Sequence, residues 1–480
     1  MKIFKQLRFY LLIILAIVQG FFAYSVHSFG LPNKYMILVG LILVTIFCLA
    51  GSLCYQRSKI VRALGIILII IGCGGFGYGV KFSADAFATL EAMGNNADKN
   101  NMVYYSVVNN RVYDVENGEL TPNLKYMKDK KYAVLEMGNT SYMRDVINLI
   151  REELDDRVDF VAVRSVEEAT EKLQSGEIEM LVINEGVRHL FDTDLNSIST
   201  VIKTFEFENN KEIIRNPAKV TQETFVVYVS GIDLFGDLTY VSRSDVNKVV
   251  VINPLSKDIL LIDIPRDYYV PLSCFYNRSD KLTHTGIYGV DCTVQTISNF
   301  LDIDINYYAR INFSTFIDMI DAIGGINIYI DKGFCASDDA GGVCYEDGMN
   351  HLDGWESLCF ARERQTLPGG DNDRIKNQSK LMKSIVERVA DPSILSNYTD
   401  LLAVLAKNIE TNMSTNDMTS LIQMQLSDMA SWNISSYGLE GYNAYDMSAV
   451  MGQELYVSKP IMSTVEEAKT LIAEVLAREY

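Results

Sequence analysis

The side chains that could bind phosphate are concentrated in one short stretch, CFARERQTLPGGDNDRIKNQ (residues 359–378). Its first part predicts a β-strand whose alternate side chains, ending with Arg362 and Arg364, share one face. Its last part predicts the start of a helix, where Arg374 and Gln378 are four residues apart and lie on one side. A planar guanidinium group binds phosphate oxygens through two parallel hydrogen bonds, so these side chains together suit a pyrophosphate. The alternative is a row of surface ion pairs with the acids between them, Glu363, Asp371 and Asp373.

Carboxylates at predicted strand ends could hold a metal beside such phosphates. Asp233 ends the predicted strand TFVVYVSGID, and Asp245 precedes the next strand along the chain. Mg²⁺ prefers oxygen ligands, usually one or two carboxylates together with phosphate and water oxygens. Other charged residues flank the same strand ends: Arg243, Arg266 and Asp267. The alternative for the two acids is a turn or helix cap, where Asp is common.

The elements around these residues predict a layered α/β/α domain. Residues 246–265 predict a β-hairpin with its turn at Asn253-Pro254. FSTFIDMIDAIGG (313–325) predicts a helix that ends at the two glycines, before the strand INIYI. The stretch with Arg374 continues as a helix, and further helices are predicted over about 390–430.

A smaller α/β unit is predicted upstream of this domain. Strands at 132–138, 158–163 and 178–184 alternate with helices at 142–154 and 166–176. The unit has no Gly-rich phosphate loop and no cluster of catalytic residue types, so we interpret it as an accessory domain. Residues 85–110 are predicted to be a polar, helix-compatible spacer, and 207–223 a linker.

Three uncharged apolar runs, 9–29, 36–54 and 63–80, open the chain, and each is long enough to cross the ~30 Å hydrocarbon layer of a membrane. A signal peptide is the alternative for the first run. Because two more runs follow and no clear small-residue cleavage site is visible, we predict a retained three-helix anchor. Basic residues precede the first run and separate the second from the third, whereas only Lys34 lies between the first and second. The positive-inside rule then predicts a cytoplasmic N-terminus and an exterior location after about residue 81.

The charge of the chain divides at the end of the third run. The first 84 residues contain eight basic and no acidic side chains, a formal charge of +8, so the rest of the chain carries −26 and the whole chain −18. An acidic exterior argues against nucleic-acid binding, which needs a positive surface. Cys335 and Cys344 flank a Gly-rich loop and could form a disulfide in an oxidising exterior. The cysteines after the third run are odd in number, so one thiol stays free or pairs between chains: Cys274, Cys292, Cys335, Cys344 and Cys359.

The order of several motifs resembles that of the LytR–CpsA–Psr (LCP) family. The motifs are VSRSDVN, IDIPRDYYVP, DKLTHTGIYGV, INYYARINFSTFIDMIDAIGGINIYI, MNHLDGWESLCFARERQ and GDNDRIKNQ, and they cover roughly residues 224–390. Three spans followed by an α/β accessory domain are similar to the capsule-type members. The resemblance implies three transmembrane helices in 1–84, an extracytoplasmic accessory domain in 85–220, and an α/β/α catalytic domain with a central mixed sheet in 221–480.

The resemblance also implies an activity. A deep apolar pocket would hold the isoprenoid tail of a lipid carrier at the cell membrane of a Gram-positive-type envelope. The enzyme would use Mg²⁺ to transfer a glycopolymer, such as capsular polysaccharide or a teichoic-acid-like polymer, from polyprenyl pyrophosphate to peptidoglycan. Two alternatives stay open: a polyprenyl-pyrophosphate phosphatase, and a non-enzymatic membrane-bound sensor or regulator of envelope polymer synthesis.

Carried over by position, the resemblance makes Asp233 and Asp245 the Mg²⁺ ligands, with Arg243 beside them as a catalytic residue. The pyrophosphate contacts would be Arg266, Lys281, Arg362, Arg364, Arg374 and Gln378, of which Arg266 is also catalytic. Asp267 is a candidate acceptor for the proton of the acceptor hydroxyl. Lys376 stands where relatives often have arginine, and we leave it out of the site because it lacks the planar fork. We expect His284 to have a structural role.

Overall fold

The structure is a computed structural model that describes residues 2–28, 33–96, 101–110, 124–135, 141–154, 158–188, 190–191, 195–208, 217–232, 243–391, 393–394, 401, 404, 409–428 and 430–478. Within these ranges the chain forms three long N-terminal helices followed by two large mixed sheets with helices on their faces. The predicted α/β class is confirmed.

The three apolar runs form helices: α1 (Lys2–Ser28), α2 (Asn33–Cys54) and α3 (Lys59–Asn96). By length and composition, the segments that can cross a membrane are Leu7–His27, Met36–Cys54 and Lys59–Asp85. The helices pack together, and two polar side chains bond to backbone carbonyls across the contacts. Arg8 donates to the oxygen of Cys54 (3.0 Å), and Gln19 donates to the oxygen of Leu43 (3.1 Å). These helices support membrane anchoring, while their orientation stays a prediction.

The accessory sheet has five strands in the order β3-β2-β4-β1-β5. Its strands are β1 (Asn101–Asn109), β2 (Tyr132–Leu135), β3 (Phe160–Val163), β4 (Met180–Asn184) and β5 (Ser199–Glu208). β2 runs parallel to β3 and β4, and β1 runs antiparallel to β4 and β5. The helices of this unit are α4 (Ser141–Glu153), α5 (Val166–Ser175), α6 (Glu185–Arg188) and α7 (Leu195–Ile198).

The predicted helix-compatible spacer over 85–110 is helical in its first half, but the prediction is wrong for its second half. The first half continues α3 to Asn96, and the second half is β1, whose Tyr104, Val107 and Val108 are buried. The β-branched and aromatic residues of NMVYYSVVN favour a strand, and the preceding Asn- and Asp-rich residues masked that pattern. The predicted linker at 207–223 is also wrong at its start, because β5 includes residues 207 and 208.

The larger domain is built on a six-stranded sheet in the order β16-β11-β6-β7-β8-β17. Its strands are β6 (Phe225–Ile232), β7 (Val246–Asn253), β8 (Asp258–Ile264), β11 (Tyr307–Asn312), β16 (Glu410–Thr411) and β17 (Asn433–Gly438). The predicted hairpin is β7 and β8, which pair antiparallel, while β6 with β11 and β8 with β17 pair parallel. Alternate side chains of these strands enter two separate cores, one on each face of the sheet.

Helices cover both faces of this sheet. One core includes residues of α8 (Val290–Leu301) and α13 (Met462–Ala477), and it continues into the accessory sheet through α5. The other core includes residues of α11 (Asp371–Ala390) and α12 (Thr415–Asp428). The helix α9 (Phe313–Ala322) follows β11 and ends before Gly324 and Gly325, which both have positive φ as the sequence predicts.

LCFARER is helical as far as Arg362, so the predicted strand is wrong. The helix α10 (Gly354–Arg362) begins with a capping box, in which Asp353 accepts from the backbone N–H of Glu356 (2.8 Å). Glu356 in turn accepts from the backbone N–H of Asp353 (3.0 Å). Reciprocal capping satisfies two of the free N–H groups at the first turn, and it starts the helix before the alternating residues.

Short two-stranded sheets surround the main domain. They pair β9 (Tyr269–Pro271) with β10 (Ser279–Lys281), β12 (Ile326–Ile330) with β15 (Gly348–Leu352), β13 (Phe334–Cys335) with β14 (Cys344–Tyr345), and β18 (Gly441–Met447) with β19 (Glu454–Pro460). The Cys335–Cys344 disulfide closes the β13–β14 hairpin, as the sequence allows, and a second disulfide joins Cys274 to Cys292. Cys359 is a buried free thiol.

Candidate functional site

Arginine side chains line a cavity of about 330 Å³ at the ends of β6 and β7. Among the described residues, the cavity wall contains five arginines and two carboxylates, Asp245 and Asp339. This positive excess lies in a chain whose formal net charge is −18. The predicted residues that line this arginine cavity are Arg243, Asp245, Arg266, Arg362, Arg364, Arg374 and Gln378. The arrangement can therefore bind a multiply charged anion.

A buried hydroxyl network holds the segment with Arg243 and Asp245 in place. Ser244, between them, is bonded to the hydroxyls of Tyr228 (2.7 Å) and Ser230 (2.8 Å). The backbone N–H of Asp245 donates to the oxygen of Gly231 (3.0 Å), which fixes the start of β7 against the end of β6. Burial raises the pKa of Tyr228 to about 12, so its hydroxyl stays protonated.

Asp245 uses only one of its carboxylate oxygens within the described chain. Its Oδ1 accepts from Arg266 Nη1 (2.9 Å) and from the hydroxyl of Thr283 (3.3 Å). Its Oδ2 is buried and has no hydrogen-bond partner among the described residues. Burial by itself lowers the pKa of Arg266, but the charges of Asp245 and Asp267 outweigh it and raise that pKa, so the guanidinium stays charged.

Two helices bring the other guanidinium groups to the cavity. Arg374, in the first turn of α11, pairs with Asp371 through Nη2 (2.6 Å). Burial, together with the nearby positive charges of Arg266 and Arg364, lowers the pKa of Arg374. The guanidinium of Arg362, at the end of α10, lies 4.9 Å from the ring centre of Phe313.

Gln378 connects the two helices. Its side-chain amide donates to the oxygen of Ala361 (3.1 Å), one residue before Arg362. Arg374 and Gln378 lie on one side of α11 as predicted, and α10 replaces the predicted strand as the support of Arg362.

The acids between the arginines have three different partners. Asp371 pairs with Arg374, whereas Asp373 pairs with Lys376 (3.1 Å) and accepts from the backbone N–H of Gly369 (2.8 Å). Glu363 is fully buried and binds backbone groups rather than an arginine. Glu363, Asp371 and Asp373 therefore do not form one row of surface ion pairs with the arginines.

Glu363 joins the two loops that form one wall of the arginine cavity. It accepts from the backbone N–H of Thr366 (2.8 Å) and from that of Ser337 in the disulfide-closed hairpin. Burial alone would raise its pKa, but these backbone bonds lower it below the ordinary 4.5. Ser337 and Asp339 line the cavity, and Asp339 accepts from Gln365 (2.7 Å). The sequence analysis missed these residues, because only folding brings 337–340 next to 362–366.

Two predicted site residues, Lys281 and Asp267, are not part of the described cavity wall. Lys281 pairs with Asp267 (2.9 Å), and the other oxygen of Asp267 lies 3.7 Å from Arg266 Nε. Lys281 and Asp267 thus reach the arginine cavity through Arg266. Asp233 lies outside the described residues, so the structure does not place it.

His284 and Lys376 also lie away from the cavity. His284 is buried and its Nδ1 lies 2.9 Å from Asp280, in keeping with the expected structural role. The ammonium group of Lys376 points into solvent, with its side chain 72% exposed.

A second cavity, which is apolar, adjoins the arginine cavity. Its volume is about 110 Å³, and its apolar wall includes residues of α9 and α11: Phe316, Leu381, Met382 and Ile385. The two cavities share wall residues, among them Asp245, Phe313, Arg362 and Gln378. A ligand with a charged head and an apolar tail can therefore place one part in each cavity.

The site has an oxygen donor that fits Mg²⁺. Among the residues the structure describes, no three or more His, Cys, Asp and Glu side chains are placed together to hold a metal ion. The buried Oδ2 of Asp245 is nevertheless the type of ligand that Mg²⁺ takes from a protein when phosphate and water oxygens complete its shell. Asp245 thus suits a shared protein–phosphate metal site.

The fold and the site define a class: an α/β/α protein on apolar N-terminal helices, with an arginine cavity that adjoins an apolar one. A model of the LytR–CpsA–Psr (LytR_cpsA_psr) family matches residues 192–469, which is more than half of the chain. The chain therefore belongs to the LytR–CpsA–Psr family, and the resemblance seen in the motifs is confirmed.

The chain is also similar to curated relatives and to solved structures. The chain is 30% identical over 246 residues to the polyisoprenyl-teichoic acid–peptidoglycan teichoic acid transferase TagU of Bacillus cereus, covering 51% of this chain and 78% of that protein. It is 30% identical over 244 residues to the protein of that name from Enterococcus faecalis, covering 50% of this chain and 77% of that protein. The crystal structure of B. subtilis TagV is 26% identical and aligns with a TM-score of 0.46, covering 54% of this chain and 99% of that one.

Proposed function

We propose that this protein is a phosphotransferase that moves a glycopolymer from a polyprenyl-pyrophosphate carrier to peptidoglycan. The observation that carries the proposal is the contact between the arginine cavity and the apolar cavity, which share Asp245, Phe313, Arg362 and Gln378. A pyrophosphate fits the guanidinium groups, and the first isoprene units fit the apolar wall. The transferase names of the relatives support the same reaction. Capsular polysaccharide and teichoic-acid-like polymers are both candidate cargoes.

The reaction has the balance of a phosphoryl transfer. An acceptor hydroxyl oxygen attacks the phosphorus that carries the polymer, and the bond from that phosphorus to the polyprenyl phosphate breaks. The electron pair leaves on the polyprenyl phosphate, so negative charge grows on it in the transition state. Arg266, Arg362 and Arg374 lie around the cavity where that charge develops and stabilise it.

Asp245 and Asp233 are the ligands we propose for Mg²⁺. A bound Mg²⁺ supplies positive charge that neutralises phosphate oxygens. Arg266 orients Asp245 by its bond to Oδ1, which leaves Oδ2 for the metal. Arg243 stands two residues before Asp245 on the cavity wall and contacts the phosphates.

Asp267 is the proposed proton acceptor. Its carboxylate lies between Lys281 and Arg266, at the edge of the arginine cavity. Lys281 and Arg266 hold the carboxylate in a fixed position, from which it can take the proton of the acceptor hydroxyl. We assign Lys281 to this positioning role and to contact with the donor head group.

We propose that the catalytic domain lies outside the cytoplasm, as the basic residues around the helices predict. A reporter fused at the C-terminus that is active only in the cytosol would contradict this orientation. We expect instead that a C-terminal reporter that is active only outside the cytoplasm is active.

The test of the activity has two parts. Mass spectrometry of lipid that copurifies with the detergent-extracted protein should detect a polyprenyl phosphate, which a sensor without a lipid site would lack. A labelled lipid-linked polymer should then become covalently attached to peptidoglycan when Mg²⁺ is present. Release of the label as free phosphorylated polymer would identify a phosphatase and overturn the transferase proposal.

A further inference from the structure

Two tyrosines stand side by side on the solvent-facing surface of the C-terminal hairpin. Tyr445 of β18 pairs directly with Tyr456 of β19, so both rings lie on the same face. Their centres are 6.2 Å apart, and the rings meet edge to face. Tyr445 is 73% exposed and Tyr456 is 39% exposed. The hairpin therefore presents a large aromatic area to solvent.

Polar side chains stand on the same face as the rings. Asn443 accepts from the hydroxyl of Tyr456 (2.8 Å), and Glu454 is two residues before Tyr456 on β19. We call Asn443, Tyr445, Glu454 and Tyr456 the tyrosine face. The opposite side of the hairpin includes the buried Val457, and the N–H of Ser458 donates to the oxygen of Asp267 (2.8 Å). The tyrosine face thus has a rigid support.

Charged side chains connect the tyrosine face to the arginine cavity. The ammonium group of Lys281 lies 5.7 Å from the ring centre of Tyr456 and 2.9 Å from Asp267. Asp267 in turn lies 3.7 Å from Arg266, which lines the cavity. A ligand on the tyrosine face is consequently next to the site of the proposed reaction.

The tyrosine face connects to the arginine cavity through Arg266. Among the described residues, Arg266 lines the arginine cavity and does not line the apolar cavity, although it is bonded to Asp245, which lines both. In a phosphoryl transfer, the attacking oxygen and the leaving oxygen lie on opposite sides of the phosphorus. With the polyprenyl phosphate leaving toward the apolar cavity, the acceptor enters from the side of the tyrosine face.

We propose that the tyrosine face binds the sugar rings of the acceptor glycan strand, an inference that rests on the function proposed above. A pyranose ring has a C–H surface that stacks on the electron-rich face of an aromatic ring. The hydroxyl and N-acetyl groups at its edge match the amide of Asn443 and the carboxylate of Glu454. A sugar on Tyr456 has its neighbour along the strand beside Asp267, where the proton is removed.

The test measures binding of two probes to the full-length protein in detergent. The first probe is a β-1,4-linked hexamer of N-acetylglucosamine, titrated by saturation-transfer NMR. The second is geranylgeranyl pyrophosphate, which reports on the donor site. Tyr445→Thr removes a ring but keeps a side chain that favours a strand, and we expect it to weaken hexamer binding about tenfold. Tyr445→Phe keeps the ring and should stay within about threefold of the wild-type affinity.

Tyr442→Thr is the matched control. Tyr442 lies on the same hairpin and is 56% exposed, but its side chain is on the opposite face. This variant should bind the hexamer as the wild type does, and all three variants should bind geranylgeranyl pyrophosphate unchanged. The inference is wrong if the wild type does not bind the hexamer, or if Tyr445→Thr and Tyr442→Thr have the same affinity. A wild type that fails to bind geranylgeranyl pyrophosphate would instead contradict the proposed function.

Discussion

Arg266 and Asp245 form an ion pair across 2.9 Å that uses only one oxygen of the carboxylate. The other oxygen, Oδ2, is buried and lacks a hydrogen-bond partner among the described residues. A buried carboxylate oxygen without a partner costs free energy unless another cation or donor binds it. The pair therefore orients Asp245 for a further positive ligand at the cavity that we assign to the pyrophosphate.

Replacing Asp245 with Asn should weaken Mg²⁺ binding and abolish most of the transferase activity. The side chain keeps its shape, but it loses the charge that attracts Mg²⁺ and neutralises Arg266. We expect transfer of labelled polymer to fall at least about 100-fold, with weaker Mg²⁺ binding measured by calorimetry. Asp331→Asn removes an acid that is exposed and paired with Lys380, so it should leave transfer unchanged. Full activity of the Asp245→Asn enzyme would rule out the metal assignment.

Arginine-to-lysine substitutions at 362 and 374 should impair transfer although the charge is kept. Lysine has no planar fork and cannot bind two phosphate oxygens in parallel, so we expect about 10–100-fold lower kcat/KM for each. Lys376→Ala is the control on the same helix as Arg374, because the Lys376 side chain is 72% exposed. If both arginine variants kept wild-type rates, the paired hydrogen bonds to phosphate would be the wrong explanation.

Filling the apolar cavity should separate lipid binding from folding. Met382→Trp places a larger side chain in the wall of that cavity, and it should exclude the isoprenoid tail at a stability cost of about 1–3 kcal/mol. The measurement is the amount of polyprenyl phosphate that copurifies, together with the thermal midpoint. Lys383→Trp adds the same ring at the next, solvent-exposed position of α11 and should retain the lipid. Equal lipid content in the two variants would show that the tail binds elsewhere.

Glu363→Ala should loosen the cavity wall without removing a cavity-lining charge. Ser337 and Thr366 would lose the acceptor for their backbone N–H groups, and the disulfide-closed hairpin would be free to move away from α10. We therefore expect a higher KM for the lipid-linked donor, by about tenfold, and a smaller change in kcat. Glu356→Ala, which removes only half of the capping box, serves for comparison. An unchanged KM in the Glu363→Ala enzyme would show that Glu363 does not position the cavity wall.

Asp280 should make the stability of the protein sensitive to acid. This buried carboxylate accepts from His284 (2.9 Å), from Ser448 and from the backbone N–H of Val450 (2.7 Å). Burial alone would raise its pKa, but the bonds from His284 and from the backbone N–H of Val450 lower it below the ordinary 3.8. Because the folded pKa is lower than the unfolded one, this stabilisation is complete above about pH 4 and is lost as the pH falls further.

The measurement is the thermal midpoint of the detergent-extracted protein between pH 6 and 3. Asp280→Asn should lower the free energy of unfolding by about 3 kcal/mol at pH 6. The difference from the wild type should shrink as the pH falls toward 3, because the carboxylate of the unfolded wild-type chain then takes up a proton and unfolding becomes more favourable. A constant difference over this range would show that the charge of Asp280 is not what stabilises the fold.

Local pattern determined much of this protein. Three uncharged runs became the helices α1 to α3, and the alternating residues of 246–265 became the β7–β8 hairpin. The Gly324-Gly325 pair ended α9, and the four-residue spacing of Arg374 and Gln378 placed both side chains on the cavity wall. These features depend on the spacing of apolar residues and on the backbone freedom of glycine. Both can be read directly from neighbouring positions in the sequence.

The tertiary structure alone decided how the remote segments meet. LCFARER alternates like a strand, but a capping box and packing against α9 make it the helix α10. In the sequence Glu363 resembles a surface acid, but it is buried and accepts from the backbone N–H of Ser337, which lies 26 residues earlier. The contact between the tyrosine face, Lys281 and Asp267 joins segments almost 200 residues apart. Such contacts depend on the global packing of the two sheets, and short-range pattern carries no information about it.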